Sequence, residues 1–161
     1  WPAPDDMDQP VDYCDRSFIF GSTLARFILH GIGDRDLQTP MERLPLALKV
    51  NPGIDGVYQE VLSCTHYLPH FHIIISTIAC IFAPLSISAT AALLGLSTYK
   101  IICVVVGMQA ILHIPGQDDE PMTAFHSSFR DFLLDENRSG CYCTLPSHHT
   151  YLVHRCLDLL V

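Results

Sequence analysis

Residues 111–134, ILHIPGQDDEPMTAFHSSFRDFLL, decide the predicted fold of this chain. Ile111–Ile114 and Met122–Phe125 are short apolar segments, and the acidic segment Pro115–Pro121 between them has the composition of a turn. Two such segments joined by a turn predict a β-hairpin. Ser127–Glu136 then predicts an amphipathic helix, so the returning strand leads directly into a helix.

His126 lies at the start of that helix. The first turn of a helix has unpaired backbone N–H groups and a partial positive charge, and it therefore favours an anion such as a phosphate. A histidine adds a hydrogen-bond donor whose charge changes near neutral pH. His126 is therefore a candidate anion-binding residue, and the alternative is a histidine that caps the helix or lies in the core.

The rest of the chain predicts mostly helices. Thr39, Pro40 and Glu42 form a strong helix start, with a threonine cap, a proline at the first helical position and a glutamate three residues after the cap. We expect Pro45 to kink or shorten this helix, which should end by Asn51–Pro52. The other predictions are helices over Ser17–His30, Ile54–Cys64, Pro69–Phe82, Ser86–Leu94, Tyr99–Ala110 and Ser147–Leu160, a tight turn over Gly95–Ser97 and a helix stop over Asn137–Gly140.

The order of these elements predicts a mainly α fold with a small two-stranded β wing. Helix, helix, tight turn, helix and wing is the order of a winged helix, a variant of helix-turn-helix. We therefore expect a helical subdomain over residues 1–64 and a winged-helix subdomain over residues 65–136. Residues 137–161 are expected to start a further helical segment.

The charge of the chain argues against nucleic acid as a partner. The 161 residues carry a formal net charge of −8, and the only lysines are Lys49 and Lys100. The predicted recognition helix, Tyr99–Ala110, contains Lys100 as its one positive charge, and the wing is acidic. Binding to nucleic acid requires clustered positive charge. A winged helix that binds nucleic acid therefore stays an alternative that the charge disfavours.

A membrane-associated hairpin over residues 66–117 is a second alternative, because 49% of the residues are apolar and the mean hydropathy is +0.28. The continuous apolar runs, Ile73–Ala83 and Ala89–Leu96, are both shorter than the roughly 20 residues that a membrane helix needs. Pro84 and Gly95 also interrupt the segment. Length therefore favours the buried helices of a soluble core, and we expect no membrane partner.

The seven cysteines favour reduced thiols, because their number is odd and the acidic, proline-rich first residues lack the pattern of a signal peptide. We expect most of these thiols to be buried as small apolar groups. A zinc site is the alternative for Cys141 and Cys143, with further potential ligands nearby (His148, His149, His154 and Cys156). Their spacing matches no common structural zinc site, so we favour a buried thiol pair and expect no metal.

The chain lacks the motifs of an independent NTPase. It has no G-x-x-x-x-G-K-[ST] motif, since neither lysine follows a glycine, and no apolar strand ends in paired acidic residues. No arrangement of Ser, His and Asp or of Cys and His indicates nucleophilic catalysis. We therefore expect no catalytic residues, and we expect that this chain by itself is not an enzyme.

Six segments form an ordered set along nearly the whole chain. They are WPAPDDM (1–7), SFIFGSTLARFI (17–28), IDGVYQEVL (54–62), PLSISATAALLGL (84–96), FHSSFRDFLLDENRSG (125–140) and LPSHHTYLVHRCL (145–157). This set resembles the region after the nucleotide-binding core in fungal NACHT-type signal-transduction NTPases. The corresponding family patterns are WPSEEDI, GLFIYAxTxxRFI, LDxLYxxIL, PLSxxxLaxLLGL, LHxSFRDFLxDxxRSG and LPxxHxxLAxRCL.

The resemblance implies the helical and winged-helix subdomains of a cytoplasmic, nucleotide-dependent switch. By position, His126 matches the family histidine that contacts the β-phosphate of ADP and holds the closed state. ADP and ATP are implied only for a parent protein, with its N-terminal nucleotide-binding core and a C-terminal repeat domain as partners. Because the chain begins at Trp1 rather than Met, we expect it to be part of a longer protein.

Overall fold

The computed structural model describes residues 18–30, 38–49 and 54–160, and these residues are mainly helical. The helices in these ranges are α1 (Phe18–His30), α2 (Pro40–Lys49), α3 (Ile54–Ser63), α4 (Phe71–Cys80), α5 (Ile87–Leu94), α6 (Thr98–Val105), α7 (Ser128–Leu134), α8 (Glu136–Ser139) and α9 (Ser147–Asp158). Strands β1 (Leu112–His113) and β2 (Thr123–Ala124) form an antiparallel pair between α6 and α7. The predicted mainly α fold with a small two-stranded sheet is therefore confirmed.

The helix start predicted at Thr39 is present at the start of α2, with one half of a capping box. The Glu42 carboxylate accepts hydrogen bonds from the backbone N–H of Thr39 at 2.7 Å and from its hydroxyl at 3.0 Å. Pro45 lies on an exposed position within α2 and does not end it, since the helix continues to Lys49. The predicted end at Asn51–Pro52 lies outside the described residues, as does the family-like opening.

Arg43 joins the end of α1 to the loop before α2. Its side chain is buried and donates to the carbonyl of Ile28 at 2.9 Å and to the carbonyl of Gln38. The last four carbonyls of a helix lack partners inside the helix. The buried guanidinium therefore caps α1 and fixes the packing of the first two helices.

Both ends of α5 follow the sequence prediction. The Ser86 hydroxyl accepts from the backbone N–H of Ala89 at 3.0 Å, which is an N-cap. Gly95 ends the helix with φ 65°, and the backbone N–H of Leu96 donates to the carbonyl of Ala91 at 2.9 Å. This left-handed conformation favours glycine because glycine has no Cβ.

The hairpin contacts the start of α5. Each strand pairs through two residues, which is shorter than the predicted segments. The backbone N–H of Ser88 donates to the carbonyl of Asp118 at 2.9 Å, and that of Met122 donates to the carbonyl of Leu85 at 2.9 Å. Backbone hydrogen bonds therefore hold the acidic turn against the start of α5.

Two segments near α7 differ from the prediction. α7 ends at Leu134, and α8 occupies the segment that was predicted as a helix stop. The prediction was wrong there because the Asp135 carboxylate accepts from the backbone N–H of Asn137 at 2.9 Å and caps a new helix. A 3-10 turn over Val106–Met108 also replaces the last turn of the predicted helix Tyr99–Ala110.

One continuous apolar core joins the described helices. Buried side chains from α1 to α9 belong to the same cluster. The uncharged helix α4 contributes Ile74 and Ile75, and α6 contributes Ile101 and Val104, all with 0% exposure. Complete burial of such a side chain contributes roughly 1.5–3 kcal/mol. The apolar face of the predicted recognition helix therefore packs inside this chain.

The apolar helices of the described residues are short compared with a membrane span. Within residues 18–30, 38–49 and 54–160, no single helix is both long and apolar enough to cross a membrane. Ile87–Leu94 and Thr98–Met108 reach that length and composition only together, and the chain bends by 117° between them.

Candidate functional site

His126 is placed between the hairpin and α7. The backbone N–H of Phe125 donates to the carbonyl of Ile111 at 3.1 Å, which extends the hairpin bonding to the residue before His126. The backbone N–H of Phe129 donates to the carbonyl of His126 at 3.2 Å and forms the first turn of α7. The His126 side chain is half-buried. His126 therefore lies at the mouth of a helix, where the sequence predicted it.

The His126 imidazole caps α7, which was the alternative that the sequence left open. Its Nδ1 accepts from the backbone N–H of Ser128 at 3.1 Å and lies 2.5 Å from the Ser128 hydroxyl oxygen. A backbone N–H only donates, so Nδ1 carries no proton. The proton of the neutral ring is therefore on Nε2, and Nε2 is the nitrogen that remains available as a donor.

A second hydrogen bond connects this cap to α3. The Tyr58 hydroxyl lies 2.9 Å from the Ser128 hydroxyl. Burial raises the pKa of Tyr58 above its ordinary 10.0. Because Nδ1 carries no proton, the Ser128 hydroxyl donates to it, and the Tyr58 hydroxyl then donates to the Ser128 oxygen. The Tyr58 ring also packs on Phe129 and Phe132, with centroids 5.1 and 5.2 Å away. His126 is therefore linked to α3 through Ser128 and Tyr58.

A positive charge lies beside the same segment. The Arg26 guanidinium carbon is 3.9 Å from the centre of the Phe125 ring, which is a cation–π contact between α1 and the residue before His126. The His113 ring lies 6.2 Å from the Phe125 ring. Arg26 and Phe125 are both solvent-exposed. The start of α7 thus has an arginine and two histidines nearby, a set of groups suited to an anion.

An ion pair fixes α3 against α8. Arg138 donates to both carboxylate oxygens of Asp55, from Nε at 2.8 Å and from Nη2 at 2.6 Å. This hydrogen bond raises the pKa of Arg138 above its ordinary value. The Gln59 amide also donates to the Arg138 carbonyl at 2.9 Å. The ion pair joins two of the segments that carry the family resemblance, 54–62 and 125–140.

The candidate zinc ligands take part in other contacts. His148 Nε2 lies 3.0 Å from the Thr77 hydroxyl, and His149 Nε2 lies 3.5 Å from Cys80 Sγ. Across the described parts of the chain, no three His, Cys, Asp or Glu side chains converge in a way that would hold a metal ion. Burial raises the pKa of the Cys80 thiol above its ordinary 9.0, so this thiol is a weak nucleophile.

The prediction of buried thiols was wrong. Each of the six cysteines in the described ranges is exposed or half-buried. Cys141 is exposed because it lies in the short 3-10 turn Gly140–Tyr142 at the surface, and Cys143 is half-buried just after it. The sequence spacing gave no indication of this turn.

The chain matches no family model, no curated protein and no solved structure. The resemblance to NACHT-type NTPases therefore stays a prediction.

Sequence reasoning found His126 but missed the residues that hold it. Tyr58, Ser128 and Arg26 were parts of family-like segments without assigned roles. A tyrosine on the apolar face of a predicted helix indicates that its hydroxyl has a hydrogen-bond partner, because a buried hydroxyl needs one. That signal does not identify Ser128 as the partner, since 70 residues separate the two.

Proposed function

We propose that this chain is the regulatory helical and winged-helix part of a NACHT-like NTPase switch that distinguishes ADP from ATP. The order of α4, α5, the Gly95 turn, α6 and the hairpin is consistent with a winged helix. In this proposal the nucleotide binds to the parent cytoplasmic protein, whose N-terminal nucleotide-binding core and C-terminal repeat domain are the partners.

The observation that carries the proposal is the protonation state imposed on His126. The cap holds Nδ1 as an acceptor, so the neutral ring has its proton on Nε2. No partner for Nε2 occurs within the described ranges of the chain. A half-buried, oriented N–H next to the first turn of a helix is a suitable donor for a phosphate oxygen.

The proposed mechanism is a two-state change biased by the nucleotide. With ADP bound, His126 Nε2–H donates to the β-phosphate and connects α7 to the nucleotide-binding core. The hydrogen bonds from His126 through Ser128 to Tyr58 transmit this restraint to α3. Exchange for ATP removes the contact and allows a hinge rotation between the nucleotide-binding core and this chain. A ligand shifts an equilibrium between two conformations by the difference in its affinity for them.

The first experiment measures ADP affinity in the parent protein with His126→Ala. One hydrogen bond to a charged group contributes about 1.5–3 kcal/mol, so we expect ADP to bind about ten- to a hundredfold more weakly. His154→Ala is the matched control, since His154 is an exposed histidine on α9, and it should leave the affinity unchanged. Equal ADP affinity and equal activation threshold in wild type and His126→Ala would exclude the proposal.

Two measurements use the chain as it stands. Nitrogen-15 NMR of the His126 ring at a pH where it is neutral should show a protonated Nε2 and an unprotonated Nδ1. A protonated Nδ1 in the neutral ring would contradict the capping geometry and with it the donor assignment. Titration of ADP into the chain alone should give no measurable binding, because the phosphate-binding loop is missing from its sequence.

A further inference from the structure

A cavity of about 300 Å³ lies between the end of α4, the loop to α5, β2 and the start of α7. This volume is at the lower end of the roughly 300–1,000 Å³ that is typical of small-molecule sites. Its walls are largely apolar, with side chains that include Ile78, Ile81, Phe82, Leu85, Met122 and Phe129. His126 does not line this cavity, so the cavity is a separate candidate site from the Nε2 donor of His126.

The polar residues that line the cavity belong to two groups, those whose hydroxyls already donate to carbonyls and those without a side-chain hydrogen bond among the described residues. The hydroxyls of Thr77 and Thr90, on α4 and α5, already donate to carbonyls of their own segments at 2.6 and 2.8 Å. Thr123, Ser127 and Arg130 also line the cavity. In the part of the chain that the structure describes, the side chains of Thr123, Ser127 and Arg130 form no hydrogen bond or ion pair. The cavity lining is therefore largely apolar and includes a single positively charged side chain, that of Arg130.

Arg130 has no acidic partner among the described residues, although the chain has 17 acidic and 9 basic residues. The other described arginines of the C-terminal half are paired, Arg138 with Asp55 and Arg155 with Asp158. The planar guanidinium matches a carboxylate with two parallel hydrogen bonds. A single arginine at the edge of an apolar cavity thus selects a ligand with one negative charge and an apolar body.

We propose that this cavity binds a small carboxylic acid with an apolar chain. The carboxylate lies on Arg130 and accepts hydrogen bonds from the hydroxyls of Ser127 and Thr123, and the apolar chain lies among the wall residues. Phe82 is 93% exposed and lines the same cavity. Contact with the ligand chain removes part of this ring from water, which favours binding.

The test is calorimetric titration of the chain with octanoate, octanamide and acetate. Octanoate is expected to bind, and octanamide, which has the same chain without the charge, should bind at least tenfold more weakly. Acetate should not bind measurably. Each methylene removed from the acid should weaken binding by up to about fourfold. Absence of octanoate binding, or equal affinity for octanoate and octanamide, would overturn the proposal.

Variants assign the binding to the cavity. Arg130→Gln should weaken octanoate binding at least tenfold and leave octanamide binding unchanged. Lys100→Gln removes the same charge from an exposed residue that does not line the cavity, and it should not change either affinity. Ala83→Trp places a large ring on the exposed wall and should abolish both. If Arg130→Gln and Lys100→Gln have equal effects, the binding is non-specific charge attraction and the proposal is wrong.

Discussion

The hydroxyl of Tyr58 provides the most direct test of the connection between α3 and His126. Tyr58→Phe removes the oxygen that lies 2.9 Å from the Ser128 hydroxyl and keeps the ring that packs on Phe129 and Phe132. Ser128 still contacts His126, so the change leaves no buried polar group without a partner. The expected loss is therefore that of one hydrogen bond, about 1 kcal/mol in the free energy of unfolding.

Tyr58→Ala separates the hydrogen bond from the packing. The side chain is only 2% exposed and its ring contacts two aromatic neighbours. Removal of a buried aromatic ring leaves a cavity and costs about 3–5 kcal/mol. The alanine variant should thus lose roughly three to five times as much stability as the phenylalanine variant.

Urea unfolding followed by far-ultraviolet circular dichroism measures both changes. With a slope of about 2 kcal/mol per M, Tyr58→Phe should lower the midpoint by about 0.5 M. Tyr99→Phe is the control, because Tyr99 is 66% exposed, and its midpoint should stay within experimental error. Tyr58→Phe should also leave the proton of the neutral His126 ring on Nε2, since the backbone N–H of Ser128 still holds Nδ1.

A double-mutant cycle decides whether the two hydroxyls interact. If Tyr58 and Ser128 are bonded, Tyr58→Phe and Ser128→Ala should be non-additive by at least about 0.5 kcal/mol. Strictly additive effects, or a phenylalanine variant as unstable as the alanine variant, would refute the proposed connection.

Three further predictions concern stability. Gly95→Ala should destabilise the chain by about 1 kcal/mol or more, because φ is 65° and a Cβ would lie 2.6 Å from Arg155 Nη2; an unchanged midpoint would contradict this geometry. Burial lowers the pKa of His148 in the folded chain below its ordinary 6.5. As the pH decreases below about 6.5, this histidine is protonated in the unfolded chain before it is protonated in the folded chain, so the free energy of unfolding falls. His148→Gln should remove that part of the pH dependence, which urea midpoints at several pH values measure. Arg138→Gln should cost no more than about 1 kcal/mol, because its pair with Asp55 is one-third exposed, and the loss should shrink in high salt.

The sequence predicted local features where neighbouring residues control the backbone. The helix start at Thr39, the short helix that begins after Ser86 and the turn at Gly95 all occur where they were expected. The prediction failed after Leu134, because Asp135 satisfies the N–H groups of a new short helix in a segment whose composition indicated a stop. The cysteines were misplaced because exposure depends on the packing of whole elements.

The sequence by itself determined the kinds of elements in this protein, their order and the presence of His126 between a hairpin and a helix. Those features depend on residues within a few positions of each other. The tertiary structure decided which imidazole nitrogen is free to donate, through a cap that Tyr58 supports from 70 residues away. It also placed Arg130, which has no acidic partner among the described residues, in the lining of a largely apolar cavity. Such contacts arise only when α3, α4 and α7 pack together, because sequence periodicity specifies which face of a helix is buried but does not specify which side chains it meets.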